Sequence, residues 1–381
     1  MISIKLADGS IRKTKENSSA LELVKEISNS LAKSTIAVEV NNELRDLTYI
    51  IKKDDQIKFI TKDSPEALNV LRHSAAHVMA DAILTLFPGT QLTIGPVVED
   101  GFYYDILLPE GKKISDNDFN KIEQQIKKIA KSAHPFVRCT ASYDKANEHY
   151  ERYKNIDGGK NPFKQEIIKE IKSRNEPLSF YKHGNFIDLC RGPHVPHTGW
   201  LKHIKLTKVA GSYWRADASK SPLTRVYGTA FFDKKELEAH LEFIEEAKKR
   251  DHRILGQQLE LFTFIEDAPG LPFFYPKGTT LYNSLTKFMS NLLNKHSYKE
   301  VKTPLILSEK MWHKSGHYSN YMENMFFTKL KLKDKIKQDK ILDNVDEERP
   351  MALKPMNCPG HLLLYKSKQY SYNDLPLRIA E

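Results

Sequence analysis

The chain has 381 residues, enough for two or three domains, because single hydrophobic cores stop growing well before that length. Its 59 Lys and Arg against 49 Asp and Glu give a net charge of +10, which suits a nucleic-acid partner but is equally common in soluble basic proteins without one. Three widely spaced cysteines and the lack of any signal-like or long apolar run argue against secreted and membrane-spanning classes, and predict a cytoplasmic protein that does not contact the membrane.

Residues 1–62 predict a small mixed domain. Strands are indicated at Ile2–Leu6, after the following turn, at Ile36–Val40 and at Gln56–Thr61, with a helix over Ser19–Lys33 between the two pairs. This order of hairpin, helix and strands resembles the ubiquitin-like β-grasp modules called TGS domains.

A long helix is predicted from Ser64 to about Phe87. It has a capping serine, a proline in its first turn and an acidic residue near its positive end. His73 and His77 are about 40° apart at roughly 100° per residue, on a face opposite the main apolar stripe. We expect that stripe to face a core; its members are Leu68, Leu71, Ala75, Val78, Ala82 and Leu86.

The rest of the chain divides by pattern into three parts. Residues 63–227 alternate short strands, Gly/Pro turns and a helix near Asp116–Lys131, which predicts an α/β domain. Residues 228–260 predict one amphipathic linker helix. Residues 261–381 mix aromatic-rich strands with helices, and the charged run Lys329–Arg349 predicts a surface insertion.

Two pairs of potential metal ligands are separated by more than a hundred residues. His73 and His77 stand at i and i+4 on the predicted helix, a spacing that lets both reach one ion or one substrate atom. The segment from Phe186 reads as a strand that runs into a tight turn and presents Asp188, Cys190 and His194 at its end. One thiol and three imidazoles form a tetrahedral zinc set, or else activate a water and bind a ribose hydroxyl or ester without metal. Spacing alone does not separate these alternatives.

A third cysteine, Cys358, stands directly before a proline and a glycine that fix the backbone around it. Taken alone, this pattern favours an inert, buried cysteine. Taken with the other motifs, in the order in which they occur, it resembles the bacterial-type threonyl-tRNA synthetase family of class II. The motifs are the His73/His77 helix, Asp188–His194, Gly211–Arg215, Arg250–Arg253, Ser315–Tyr318 and Lys354–His361.

The resemblance implies an α+β multidomain fold: a TGS β-grasp domain (1–62), an α/β editing domain (63–227), a linker helix (228–260) and the N-terminal part of a class II antiparallel-sheet catalytic domain (261–381). It implies an editing pocket lined by His73, His77, Cys190 and His194, with further candidates Asp188, Lys164 and Tyr104. It also implies that Cys358 is a ligand of a catalytic Zn²⁺ and that Met356 lies in the threonine pocket.

The family further implies threonine, ATP with Mg²⁺ and threonine tRNA as partners, and a homodimer built through Tyr298–Leu305, which resembles class II motif 1. Threonine and valine are nearly isosteric, so a pocket separates them poorly by shape alone. A zinc ion that coordinates the threonine hydroxyl rejects valine, because valine lacks that ligand. Serine lacks only a methyl group, worth roughly 1–3 kcal/mol, so a second, hydrolytic site is needed to remove it.

The sequence stops at Glu381, before the position where the family's motif 2 signature, its two histidine zinc ligands and motif 3 would follow. We therefore expect a threonine-tRNA ligase fragment with an intact editing half and an incomplete aminoacylation site. Two alternatives remain open: a free-standing deacylase that clears mischarged seryl-tRNA in trans, and a non-catalytic tRNA-binding module.

Overall fold

The computed structural model describes residues 1–140, 142–143, 161–330 and 349–381. Most of the charged run predicted as a surface insertion lies outside these residues. The chain divides into two compact units, Met1–Ala247 and Lys248–Glu381, and each is described by itself.

The first unit begins with a five-stranded sheet whose strand order is β2-β1-β5-β3-β4. Its central pair β1/β5 is parallel and the other pairs are antiparallel, which is the predicted β-grasp arrangement. The strands are β1 (Ile2–Leu6), β2 (Ile11–Thr14), β3 (Thr35–Val40), β4 (Glu43–Arg45) and β5 (Gln56–Thr61).

Two short helices follow β2, where one helix over Ser19–Lys33 was predicted. They are α1 (Ala20–Ile27) and α2 (Asn29–Ser34). Ser19 caps α1 in a capping box with Glu22, as its sequence favours. Ser28 interrupts the helix because its backbone is extended and its side chain accepts a hydrogen bond from the amide of Leu31, which starts a new turn. The prediction of a single helix was wrong at that residue.

The long helix α3 (Ala67–Leu86) is mostly buried in the core of the first unit. The predicted serine cap is wrong: Glu66 stands at the N-cap without a side-chain cap bond, and Ser64 instead accepts a hydrogen bond from the amide of Thr61. Both sides of the helix are packed, so His77 is only 3% exposed while Leu86, a member of the predicted core stripe, is exposed. A helix enclosed on all sides does not show a single apolar stripe.

Antiparallel strands follow α3 in the first unit, together with two helices in the described part of the chain. One sheet has the order β12-β13-β8-β6, with β7 also paired to β8, and a second has the order β11-β10-β9. The elements are α4 (Phe119–Lys131), α5 (Pro162–Ser173), β6 (Gln91–Leu92), β7 (Val97–Val98), β8 (Gly101–Leu107), β9 (Val137–Thr140), β10 (Ser179–His183), β11 (Phe186–Leu189), β12 (His203–Tyr213) and β13 (Pro222–Phe231).

One hydrophobic core joins the β-grasp sheet to α3. Ile36, Ala37 and Ile60 from the sheet are fully buried in the same cluster as Leu71, Val78 and other side chains of the helix. The sheet also has a core of its own on its other face, around Ile4, Leu23 and Val38. Residues 1–62 and the following domain are therefore packed together rather than merely tethered.

The predicted linker helix is two helices, α6 (Lys234–Lys249) and α7 (His252–Gln258). The interruption comes at Asp251, whose side chain accepts a hydrogen bond from the amide of Arg253 and caps the second helix. The prediction of one continuous helix was wrong because this cap lies inside the amphipathic pattern.

The described residues of the second unit form three small sheets: β14-β15, the parallel pair β16-β20, and the antiparallel β17-β19-β18. Among the described residues, no helix in either unit is long and apolar enough to cross a bilayer. The remaining elements are α8 (Pro276–Lys295), α9 (Glu309–Lys314), α10 (His317–Tyr321), α11 (Cys358–Lys366), β14 (Phe262–Phe264), β15 (Pro272–Phe274), β16 (Lys299–Glu300), β17 (Ile306–Ser308), β18 (Phe327–Leu330), β19 (Arg349–Leu353) and β20 (Ile379–Ala380).

Candidate active site

Four side chains predicted from two distant pairs meet in the first unit. His73 and His77 project from α3, and Cys190 and His194 come from the turn after β11. The Cys190 Sγ lies 3.2 Å from His73 Nε2 and 3.2 Å from His194 Nε2. The potential ligand atoms of all four lie within 4.8 Å of one another. We call these four residues the thiol–imidazole cluster.

A second group of polar side chains adjoins this cluster. Asp188 and Cys190 are two residues apart at the end of β11, so their side chains leave on the same side. Lys164 Nζ lies 2.6 Å from Asp188 Oδ1 and 3.3 Å from the hydroxyl of Tyr104, which donates a short hydrogen bond to Asp188 Oδ2. All three side chains are almost fully buried, so an ammonium–carboxylate pair stands in a dry environment.

The position of Lys164 follows from the start of α5. Asn161 caps this helix by accepting hydrogen bonds from the amides of Phe163 and Lys164, and its own amide group donates to the carbonyl of Leu92. The cap therefore ties the first turn of α5 to the strand β6. Lys164 lies in that turn, and this connection fixes where its ammonium group can reach.

Hydrogen bonds on the far side of two imidazole rings orient the thiol–imidazole cluster. His73 Nδ1 lies 3.3 Å from the Pro193 carbonyl oxygen, and a carbonyl can only accept, so Nδ1 carries the proton. That leaves His73 Nε2, which faces Cys190, as an acceptor. His194 Nδ1 lies 3.1 Å from the hydroxyl of Ser74, which in turn accepts from the amide of Val195.

Aromatic rings exclude water from the back of the cluster. His194 is stacked on Phe136 at 4.7 Å and on His73 at 4.4 Å between ring centroids, and Tyr181 meets it edge-on at 4.5 Å. His77 packs edge-on against Phe186. The cluster is therefore held by packing as well as by hydrogen bonds.

Burial determines the protonation of the cluster. It lowers the pKa of His73, and it holds the pKa values of His77 and His194 well below their usual range, with neighbouring imidazoles adding to the effect. It raises the pKa of the Cys190 thiol to about 12. At neutral pH and without a metal, the cluster is therefore a neutral thiol among neutral imidazoles, and a neutral thiol is a poor nucleophile.

The same donor set fits a zinc ion. Three imidazoles and one thiol are the ligands that tetrahedral zinc prefers, and the Nδ1 contacts of His73 and His194 are of the kind that orient metal-binding histidines. His77 Nδ1 is buried and, within the described part of the chain, has no hydrogen-bond partner. The geometry accommodates either a metal or a water and substrate, as the sequence left open.

The two residues predicted for the second unit are arranged differently. Cys358 begins α11 and is exposed, and Met356 is 43% exposed. Among the described residues, no group of three or more potential ligands includes Cys358. The described residues around Cys358 therefore do not make a zinc site by themselves.

Several residues that shape the site were not predicted from the sequence. Ser74 and Phe136 support His194, and Tyr181 is paired with Asp188 across β10 and β11. Asp46, from the loop after β4, accepts hydrogen bonds from Tyr181 and from the amide of His194. Only strand register and tertiary packing reveal these contacts. Ser74 is the one residue of this group that the sequence places directly beside a predicted site residue, His73.

Comparison with known proteins defines the class. Residues 2–61 match the TGS domain, and residues 178–227 match the second additional domain of threonyl and alanyl tRNA synthetases. The chain is thus an α+β protein that combines these two domains, and the buried cluster is contributed in part by the second of them.

Several relatives match the whole length of this chain. A threonine–tRNA ligase of Desulfatibacillum aliphaticivorans is 48% identical over 381 residues, which is 100% of this chain and 55% of that protein. Threonine–tRNA ligase 2 of Bacillus subtilis (strain 168) is 43% identical over 380 residues, 100% of this chain and 56% of that protein. The chain is similar to threonine–tRNA ligases along its length, and it spans about half the length of the curated relatives that it matches.

One solved structure that matches is the RNA binding domain of threonyl-tRNA synthetase from Cryptosporidium parvum Iowa II. It is 42% identical, and the match covers 35% of this chain and 29% of that chain. Its TM-score of 0.29 is too low to support a conclusion about the fold.

Proposed function

We propose that this chain carries the editing activity of a threonine–tRNA ligase and hydrolyses the ester of serine that has been mischarged on threonine tRNA. One observation carries the proposal: a buried thiol–imidazole cluster adjoins a buried Lys–Asp–Tyr group in a homologue of these ligases. The neutral His73 Nε2 is an acceptor within reach of the cluster centre, and Lys164 is a buried cation beside it.

The reaction needs one proton to be moved and one negative charge to be stabilised. A water attacks the ester carbonyl while His73 Nε2 takes its proton, and the same proton returns to the ribose oxygen as the carbon–oxygen bond to the ribose breaks. Lys164, held by Asp188, donates to the oxygen that becomes negatively charged or to the ribose hydroxyl. The Tyr104 hydroxyl accepts from Lys164 and donates to Asp188, and so orients both groups. Cys190 stays protonated, and its Sγ contacts both His73 Nε2 and His194 Nε2, which orients the two rings.

Zinc in the thiol–imidazole cluster is the alternative form of the same site. There the ion would be held by His73, His77, Cys190 and His194, and when bound it would lower the pKa of a coordinated water. The contact between Cys190 Sγ and His73 Nε2 fits both forms, so chelation is the experiment that separates them. Deacylation that survives exhaustive chelation supports the metal-free form, and loss that zinc restores supports the other.

Serine and threonine are separated by size in this proposal. A site fitted to serine excludes the additional methyl group of threonine by a steric clash, whereas the reverse discrimination is worth only about 1–3 kcal/mol. The buried, ring-packed walls around His194 and Phe136 supply the rigidity that such exclusion needs. The test is to charge threonine tRNA with labelled serine or labelled threonine and to follow release by the full chain.

Rapid release of serine with retention of threonine supports the proposal. Equal release of both esters, or release of neither, contradicts it. The hydrolysis of a seryl ester on a different tRNA is a control that shows how much the rest of the RNA contributes.

The ligase reaction is a further part of the proposal. Its substrates would be threonine, ATP with Mg²⁺ and threonine tRNA, with Met356 in the threonine pocket, Cys358 at a zinc and Tyr298–Leu305 at a dimer interface, in the cytosol. Homology supports these assignments. Because the described residues around Cys358 do not complete a zinc site, we expect no threonine-dependent pyrophosphate exchange by the 381 residues alone. An exchange rate above background that requires threonine would contradict this expectation.

Two other readings are separated by the same assays. A free-standing deacylase is favoured by the confinement of the whole cluster to the unit Met1–Ala247, and a non-catalytic tRNA-binding module by the net charge of +10. Tight binding of threonine tRNA without release of serine would favour the binding module. Release of serine without pyrophosphate exchange would favour the deacylase.

A further inference from the structure

Asp46 reaches from the TGS domain into the editing domain. It follows β4, in a loop whose turn is closed by a hydrogen bond from the amide of Tyr49 to the carbonyl of Asp46. Its Oδ1 accepts from the amide of His194 at 3.0 Å, and its Oδ2 accepts a short hydrogen bond from the hydroxyl of Tyr181. One carboxylate therefore holds both the turn after β11 and the neighbouring strand β10.

The contact with Tyr181 locks the turn in a second way. Gly192 has a φ of +73°, and a Cβ at this position would lie 2.0 Å from the Tyr181 oxygen. The turn therefore passes so close to the hydroxyl that only glycine fits. Asp46 fixes that hydroxyl from the opposite side, so the tyrosine cannot withdraw without losing a buried hydrogen bond.

The effect passes directly to the thiol–imidazole cluster. Gly192 donates its amide to Cys190 Sγ, and His194, whose amide is held by Asp46, places its Nε2 3.2 Å from the same sulfur. The Pro193 carbonyl, between these two residues, sets the ring of His73. The contacts of Cys190 with Gly192 and His194, and the contact of His73 with Pro193, therefore run through a turn that Asp46 holds at one end.

Adhesion between the two domains does not require this carboxylate. The shared core of Ile36, Ala37 and Ile60 with α3 already joins them. Burial raises the pKa of Asp46, which means that burying its charge is unfavourable, and the hydrogen bonds from Tyr181 and His194 offset that cost. An apolar residue would pack there without the cost, but it would not hold the amide of His194.

We infer that Asp46 is a positioning residue of the editing site and that the TGS domain is thereby a working part of that site. The activity part of this inference rests on the proposed function, whereas the geometric part does not. Asp46 acts through Tyr181 and His194 and does not itself touch substrate.

The first experiment measures deacylation of labelled seryl-tRNA by the full chain. Asp46→Ala removes both hydrogen bonds, and a displacement of about 1 Å in such a constellation can cost about 10² in rate, so we expect kcat to fall by up to about that factor with KM unchanged. Asp46→Asn keeps an acceptor for the His194 amide and an amide that can donate to the Tyr181 oxygen, so its kcat should be close to that of the wild type.

Asp55 offers a matched control in the same domain. It is buried, and its carboxylate accepts hydrogen bonds from Asn41, Tyr49 and the amide of Lys52, all within the TGS domain. Asp55→Ala should therefore lower the stability of the TGS domain without touching the editing turn, and at a temperature where the chain stays folded its kcat should match the wild type.

The second experiment needs no tRNA. The alkylation rate of Cys190 by iodoacetamide, measured by mass spectrometry on the peptide that carries it, reports whether the turn holds the thiol in its buried place. A buried thiol reacts slowly, and we expect Asp46→Ala to raise the rate at least about tenfold, with Asp46→Asn and Asp55→Ala close to the wild type.

The outcomes separate the possibilities. Loss of kcat and exposure of Cys190 in Asp46→Ala alone supports the inference. The same exposure pattern in a chain that never deacylates seryl-tRNA supports the positioning role and rejects the proposed function. Equal effects in Asp46→Ala and Asp55→Ala, or no effect in Asp46→Ala on either readout, overturns the inference.

Discussion

The two units of the chain present their candidate residues in opposite ways. In Met1–Ala247, side chains from α3, β8, α5 and the turn after β11 converge on one buried place, where rings and hydrogen bonds fix each of them. In Lys248–Glu381, Met356 and Cys358 are exposed, and among the described residues no group of three or more potential metal ligands includes Cys358. Residue type and motif alone do not separate these two cases, whereas burial and convergence do.

The two units also differ in the burial of their ion pairs. In the first unit the Lys164–Asp188 pair is out of contact with water, so each charge depends on its partner. In the second unit the Lys277–Glu260 pair is at 3.5 Å with both side chains mostly exposed, and water and salt screen it. The same kind of ion pair therefore has a different role in each unit.

The largest expected effect tests this contrast. Lys164→Met leaves the buried Asp188 without its cation, and breaking a buried pair in this way typically costs about 3–5 kcal/mol. Lys277→Met, the matched change in the exposed pair, should cost less than about 1 kcal/mol. Urea denaturation of both variants measures the free energies of unfolding. Similar losses in the two variants would show that burial does not distinguish the pairs.

The next effect concerns catalysis. Removing His73 as the proton acceptor, in His73→Ala, should lower seryl-tRNA deacylation by about 10²–10⁴, the range that a general base contributes. Cys190→Ala should also lower it, since the thiol orients His73 and His194. Cys358→Ser is the control from the second unit and should deacylate like the wild type. Equal rates for all four proteins would reject the site assignment.

A smaller effect is expected from pH. Burial keeps His77 and His194 neutral in the folded chain by lowering each pKa below its usual 6.5. As the pH falls below 6.5, the unfolded chain takes up protons that the folded chain does not, so stability is complete above that pH and is lost below it. The loss is about 1.4 kcal/mol per pH unit for each histidine.

Thermal or urea unfolding between pH 7 and pH 5, with a chelator present, measures this dependence. His77→Gln should reduce the slope by one proton, because the unfolded variant has one fewer group to protonate. A slope that His77→Gln leaves unchanged would contradict the assigned burial of a neutral imidazole.

The smallest effect is expected at Cys358. Because one cysteine cannot supply the protein ligands of a zinc, Cys358→Ser should leave the metal content of the purified chain unchanged. Elemental analysis of both proteins measures it, with Cys190→Ser as the comparison in the thiol–imidazole cluster. Stoichiometric zinc that only Cys358→Ser abolishes would mean that ligands gather in the second unit after all.

Local sequence predicted the elements better than it predicted their surroundings. The strands Ile2–Leu6 and Gln56–Thr61 were predicted at their observed bounds, because alternation and turn residues act within a few positions. The helix of His73 was expected to leave one face outside the core, but tertiary packing encloses it. The Ser28 and Asp251 interruptions were missed because a capping residue looks like an ordinary polar residue within an amphipathic pattern.

The candidate site divides in the same way. The ligand-type residues could be predicted because their chemistry is uncommon and their spacing matches a helix and a strand end. Asp46 could not, since its contacts span 135 and 148 residues and depend on how two domains pack. Ile36 and Ile60 are buried against α3, so a segment of residues 63–227 alone would expose apolar surface.

The enclosure of α3 has a consequence for how such a chain diverges. The helix contributes two imidazoles to the cluster, but 14 of its 20 residues are buried, so packing constrains most of its positions whatever the chemistry requires. In a lineage without selection for hydrolysis, His73 could be substituted. Most of its neighbours on α3 could not, because their side chains are packed in the core. The buried framework around the thiol–imidazole cluster would then persist without the proposed hydrolysis and could come to bind another ligand.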